Sequence, residues 1–173
     1  LDDLDNALKA VEDAGVLLQI GFNRRFSQDF ASVAEQVNSG AIGTPQLLRS
    51  LTRDPEVAGG LPNAAKIRSH VIFTETLIHD FDTLNWLNPG AEVQEVHVMA
   101  DALVAPEHRE NGLLDTAVVT MRYSNGAIAV AEANFSASYG YDVRGEVFGS
   151  KGMVQAGNPV QLAASSFDAQ GAH

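Results

Sequence analysis

The hydrophobic period of this chain changes at Asn88-Pro89-Gly90, and that change constrains the fold more than any other feature. Before it, apolar residues recur at helical spacing. After it they alternate, with Val96, Val98 and Ala102 on one side of a segment from Val93 to Val104. Asp115 to Tyr123 and Ala127 to Phe135 read as two further strands, joined by the hairpin signal Ser124-Asn125-Gly126. Val143 to Phe148 and Met153 to Ala156 read as two more, linked by Gly149-Ser150-Lys151-Gly152. Helices first and strands afterwards predict an α+β fold, an open and mostly antiparallel sheet with helices on one face.

The helical part divides further. Leu1, Leu4, Leu8 and Val11 predict a first helix stopped at Gly15, followed by a buried strand over Val16-Leu17-Leu18-Gln19-Ile20. Phe26, Phe30, Val33 and Val37 mark a second helix, with Ser27 as its N-cap and Gly40 as its stop. Gln46 to Arg53 reads as a strand, residues 54–68 as a loop, and Thr74 to Leu87 as a third helix. Residues after Ala156 are rich in Ala and Ser and carry no clear pattern. The small row Ala127, Ala129, Ala131 and Ala133 suits either a second sheet, for example from another subunit, or the chain's own helices.

Composition excludes several function classes. The chain has 173 residues, 45% of them hydrophobic and 19% charged, as expected of a globular domain with a real core. Its net charge of −11 argues against nucleic acid and anionic membrane as partners, since both require basic patches. No cysteine is present, which removes disulfides, thiolate catalysis and Cys-ligated zinc and fits a reducing cytoplasm. No apolar run approaches the roughly 18 residues of a membrane span, and no signal peptide is expected.

The segment richest in chemistry is Ile78-His79-Asp80-Phe81-Asp82, with Glu75 four residues before His79. On a helix, positions 75, 79 and 82 share one side, and Leu77, Ile78, Phe81 and Leu84 fall largely on another. A histidine among carboxylates is suited to proton transfer near neutral pH. The alternative is a solvated polar face with an incidental histidine. Glu75 and His79 also offer two metal ligands, but nothing in the spacing recruits His70, His97 or His108, so no metal is expected. Gly149 to Gly152 is not a phosphate loop, because Ser150 stands where that motif needs its second glycine and a strand follows. Tyr139 and Tyr141 flank a turn. Arg24 and Arg25 can hold an anion or pair with surface carboxylates.

Taken in order, Gly21-Phe22-Asn23-Arg24-Arg25-Phe26, Gly40 to Pro45, Ile78 to Asp82, Asp115 to Val119, Tyr139 to Asp142 and Val147 to Gly152 resemble the second half of the glucose–fructose oxidoreductase/inositol dehydrogenase family, its inositol dehydrogenases above all. The resemblance implies a two-domain Rossmann-type dehydrogenase. Its N-terminal domain binds NAD or NADP, and its C-terminal α+β domain binds a polyol or sugar. In that comparison residues 1–20 match the remnant of the dinucleotide-binding domain, and residues 21–173 the substrate-binding and oligomerisation domain. It further implies His79 as acid/base with Glu75 where the family has Asp, Asn23 near substrate and nicotinamide, Arg24 near the cofactor, and Tyr139 and Tyr141 around the substrate. A homodimer or homotetramer through the open sheet face is also implied. Lacking the nucleotide domain, the chain alone is expected to be inactive. Two departures stand out: His70 and Val71 replace a Gly-Gly pair that permits close backbone approach, and Glu75 carries one methylene more than Asp. They support a rival reading, a non-catalytic oligomerisation or ligand-binding module with a degenerate site.

Overall fold

The computed structural model describes residues 2–55, 70–157, 167–168 and 171–172. Helix α1 spans Asp2–Ala14, a 3-10 turn Asn23–Phe26, α2 Gln28–Asn38 and β1 Pro45–Pro55. A π-helical turn, Ile72–Thr76, leads into α3, Leu77–Trp86. The strands follow: β2 Val93–Asp101, β3 Thr116–Tyr123, β4 Ile128–Ala137, β5 Asp142–Gly149 and β6 Met153–Ala156. A 3-10 turn, Pro106–Asn111, lies between β2 and β3, and β7 Phe167–Asp168 pairs with β8 Gly171–Ala172.

The main sheet has six strands in the order β2-β3-β4-β1-β5-β6. Its pairings are antiparallel except at the centre, where β1 and β4 run parallel, Leu48 beside Ala129 and Ser50 beside Ala131. The sheet is therefore mixed, and its one parallel pair requires the long crossover through α3, β2 and β3. The hairpin expected at 124–126 joins β3 to β4, with Gly126 in the left-handed region at φ 87°.

One face of the sheet is covered and the other is bare. Leu48, Ala117, Val119, Ala129, Ala131, Ala133 and Val147 pack beneath Phe30, Val33 and Val37 of α2 and Leu77 and Leu84 of α3. The alanine row therefore serves the chain's own helices: small side chains on β4 let α3 approach closely. The opposite face presents alternate residues of the same strands, among them Leu47, Ile128, Phe148 and Met153.

Several expectations are corrected. Val16 to Ile20 form no strand: they pair with none among the described residues, and Leu17 and Ile20 are exposed. An apolar run needs a neighbouring strand to become one, and α1 likewise leaves Leu4 and Leu8 exposed. Asp54 and Pro55, expected in a loop, belong to β1, and the rest of that segment, within 56–69, lies outside the described residues. Strand β2 ends at Asp101 instead of Val104, because the Asp115 carboxylate accepts the backbone N–H groups of Leu103, Val104 and Ala105 and turns the chain there. Ser27 stands at the N-cap of α2, but its hydroxyl bonds Asp29 instead of a backbone N–H. The unpatterned segment after Ala156 lies outside the described residues save Gly157 and the β7–β8 pair.

Filling the alanine face is expected to be costly and filling the bare face is not. Ala131→Leu should lose about 1–3 kcal/mol of stability through overpacking, while Val130→Leu on the opposite face should stay near neutral. Urea denaturation of both variants checks this.

Candidate functional site

Helix α3 runs antiparallel to β1. Asn85, near its C-terminal end, accepts from the Tyr123 hydroxyl at 2.9 Å. Tyr123 closes β3 beside the start of β4, which is also the level at which β1 starts. The N-terminal end of α3, with His79, therefore lies over the C-terminal end of β1. Strand β5 begins at that same end, so Tyr139, Tyr141 and Asp142 arrive there as well.

Between α3 and β1 sits a buried ionic network. Arg24 is 6% exposed and Asp80 fully buried. The guanidinium donates from Nη1 to Asp80 Oδ1 at 2.8 Å and Ser50 Oγ at 2.8 Å, and from Nη2 to Thr52 Oγ1. Ser50 and Thr52 in turn donate to the Asp80 carboxylate at 2.6 and 2.8 Å. A lone buried charge would be severely penalised, and here each charge has its counterion and hydroxyl partners. The network reaches His79 as well. Arg24 donates to Thr83 Oγ1 at 3.4 Å, and that hydroxyl donates to the His79 carbonyl at 2.7 Å.

The buried side of α3 is consequently Leu77, Asp80, Thr83 and Leu84, whereas Ile78, expected inside, is exposed. Asp80 and Thr83 could enter the core only because Arg24 meets them there. The sequence carried a signal for this, since Leu77, Asp80, Thr83 and Leu84 recur at helical spacing, but polar residues at core positions are legible only with their partner. Asp82 pairs instead with Arg25 in two hydrogen bonds of 2.7 and 2.9 Å, and Arg25 lies 5.7 Å over Trp86. Those bonds raise the Arg25 pKa. Both arginines thus pair with carboxylates of α3, and the Arg24 guanidinium turns into the core.

His79 is half-buried, with Phe22 T-shaped to its ring at 6.2 Å between centroids. Its Nδ1 is buried and has no hydrogen-bond partner among the described residues. Glu75, expected one turn above it, is exposed and joined to it by no hydrogen bond or ion pair among the described residues. Glu75 lies in the π-turn that precedes α3, where the Leu77 N–H bonds the Ile72 carbonyl. His70 and Val71 lie just before this turn, His70 exposed.

The remaining expected residues divide between two places. Asn23 and Tyr141 line one cavity of about 320 Å³, together with Arg24, Asp29 and Phe30. Tyr141 is exposed there. Tyr139 instead donates to Asp142 at 2.7 Å and accepts from Arg53 at 3.3 Å. Burial first, and then the Asp142 hydrogen bond, raise the Tyr139 pKa. Asn23 adjoins Phe22, so the turn that carries it also touches His79.

One carboxylate at this end escaped the sequence reading. Asp54, half-buried near the end of β1, has its pKa raised by burial and by the Asp80 charge, with His79 acting in the opposite direction. Assigned by pattern to a loop, it gave no signal. Among the described residues no group of three or more His, Asp or Glu side chains is arranged to hold a metal.

Residues 30–155 match the model of the GFO/IDH/MocA C-terminal domain, and the chain belongs to that family. It is 45% identical over 171 residues to the uncharacterized oxidoreductase YrbE of Bacillus subtilis, covering 97% of this chain and 49% of that protein. To the myo-inositol 2-dehydrogenase of Thermotoga maritima it is 41% identical over 172 residues, covering 99% and 50%. Its fold matches the crystal structure of scyllo-inositol dehydrogenase from Lactobacillus casei with bound NAD(H) and scyllo-inositol at a TM-score of 0.79 and 26% identity, covering 99% of this chain and 52% of that one. The chain thus spans about half the length of the curated relatives it matches.

The buried pair gives a direct test of the site's architecture. Asp80→Ala strands the Arg24 charge and should cost about 3–5 kcal/mol, whereas the double variant Arg24→Met/Asp80→Leu should recover most of that loss. Equilibrium unfolding of the two variants measures it.

Proposed function

We propose that this chain is the substrate-binding half of an NAD-dependent oxidoreductase acting on a CH–OH group of inositol or a related polyol, with His79 as the acid/base. The observation that carries the reading is His79 itself: half-buried, with a buried Nδ1 that has no partner among the described residues, at the strand end near which Asn23 and Tyr141 line a cavity that His79 itself does not line. The inositol dehydrogenases among the relatives supply the substrate class.

Oxidising a secondary alcohol requires removal of a hydroxyl proton together with a hydride. A nicotinamide supplies the hydride acceptor when bound. The residues of this chain handle the proton. The imidazole takes it from the reacting hydroxyl, and the carbonyl forms as the hydride leaves the same carbon. The Arg24–Asp80 pair keeps the ground beneath His79 electrically neutral. Asn23, on the turn that touches the His79 ring through Phe22, is placed to contact substrate or nicotinamide, and Tyr141 to contact the polyol. The Arg24 guanidinium is engaged with Asp80, so this chain offers the cofactor Asn23 rather than a free arginine, and NAD or NADP binds chiefly elsewhere.

In this reading residues 1–20 belong to the dinucleotide-binding half. Exposed Leu4, Leu8, Leu17 and Ile20 support it, since they are apolar surface suited to a neighbouring helix and strand. The bare sheet face is the oligomer interface. Met153, Phe148, Leu47 and Ile128 form a continuous apolar row across four paired strands, flanked by Arg49 and Glu146.

Reduction of NAD by the enzyme carrying both halves, measured against a panel of inositols and sugars, tests the activity. Turnover on one polyol is expected, falling about 10²- to 10⁴-fold in His79→Ala; unchanged turnover in that variant refutes the acid/base role. Light scattering after gel filtration tests the interface. The protein should be a dimer or tetramer, and Phe148→Glu should release monomers.

A further inference from the structure

We propose that Arg53 is a positioning residue for polyol binding: from the bare side of the sheet it clamps the turn that carries Tyr141 to the substrate cavity. The inference rests on the reading of Tyr141 as a polyol contact and deepens it.

The turn between β4 and β5 straddles the end of the sheet. Gly140 stands in it at φ 113°, a conformation that residues with a side chain rarely adopt, and its N–H bonds the Ala137 carbonyl at 3.1 Å. The tyrosines on either side of Gly140 go to different faces. Tyr141 lines the cavity shared with Asn23, Arg24 and Phe30, on the helix-covered side. Tyr139 lines a cavity of about 390 Å³ on the bare side, with Arg53, Val118, Glu132 and Asn134.

The clamp is a set of contacts around Asp142. This residue opens β5, stands beside Arg53 in the ladder and is 9% exposed. Its carboxylate accepts from the Tyr139 hydroxyl at 2.7 Å, from Arg53 Nη1 at 3.4 Å, and from Arg144 Nε and Nη2 at 2.9 Å each. Burial and the Asp142 bond hold the Tyr139 phenol protonated, so it remains a donor. Arg144 alone would balance the Asp142 charge. What Arg53 adds is reach: its Nη1 also donates to the Tyr139 hydroxyl at 3.3 Å, and its Nη2 to Glu132 at 3.3 Å. Tyr139 and Asp142, one at each end of the turn, are thereby fastened to β1 and β4.

The consequence falls on Tyr141, which lies between the two fastened residues and is 61% exposed. A phenol on a loose turn loses freedom when it binds a ligand, and that ordering weakens affinity; a turn already held loses little. Arg53 itself does not reach a polyol at His79. Its side chain leaves β1 on the face opposite to Thr52, which meets Asp80 of α3. Its effect on binding therefore runs through the turn.

The test has two arms. In this chain, amide hydrogen exchange across residues 138–142 is followed by mass spectrometry. Arg53→Met is expected to speed it about tenfold, and Arg53→Lys less. Arg122→Met removes an arginine ion-paired to Glu95 on the same face and is expected to leave the exchange as it is. Tyr139→Phe deletes a single hydroxyl of the clamp, so it serves where Arg53→Met does not fold, and it too is expected to speed exchange. Unchanged exchange in the folded variant overturns the proposal. In the two-domain enzyme, Arg53→Met is expected to raise the KM for the polyol about tenfold, with kcat and the KM for NAD little changed. Tyr141→Phe should cost less affinity in that background than alone. Fully additive losses, or a loss in kcat in place of KM, overturn the proposal as well. Should the enzyme oxidise no polyol at all, the functional reading fails, and the exchange still decides whether Arg53 holds the turn.

Discussion

The buried pair of Arg24 and Asp80 is the constraint on which the rest of this structure depends. Its members come from the turn before α2 and from α3, and their hydroxyl partners Ser50 and Thr52 come from the central strand β1. One network thus ties three elements together at the strand end where the candidate site lies. A buried pair is weak evidence for stability, because well-packed apolar residues can replace it without loss. What it offers here is position. Only one rotation of α3 puts Asp80 and Thr83 under Arg24, and that rotation sets where His79 points.

The same network gives His79 a defined backbone and a neutral floor. Thr83 holds the His79 carbonyl, Phe22 lies T-shaped to the ring, and the charges below cancel. A proton-transfer group gains from this arrangement: a mobile imidazole loses the geometric advantage on which hydroxyl deprotonation depends. The π-turn immediately before α3 belongs to the same design. It carries Glu75, which is exposed, one turn before His79.

Much of the fold was legible in the sequence. The period change after Asn88 marked the passage from helix to sheet, and Ser124-Asn125-Gly126 located the central hairpin, because turn chemistry and alternation are local properties. The parallel placement of β1 beside β4 was not legible, since pairing between distant strands leaves no local pattern. Val16 to Ile20 looked like a buried strand because an apolar run records what a segment could bury, not whether a partner is there. The site was legible in part. His79 stood out for its chemistry, and Asn23 and Tyr141 through the family pattern. Asp80 lay in the same motif, yet its role depended on Arg24, 56 residues away. Asp54 was hidden by its assignment to a loop, although β1 continues through Pro55.

In the proposed function, the pair below α3 is what sets His79 against the reacting hydroxyl. A crystal structure of the two-domain enzyme with NAD and inositol tests it most directly. The His79 imidazole is expected within about 2.6–3.2 Å of a ring hydroxyl, with Arg24 still bound to Asp80 beneath it. Inositol seated away from His79, or an Arg24 that leaves Asp80 to contact the ligand, would contradict it.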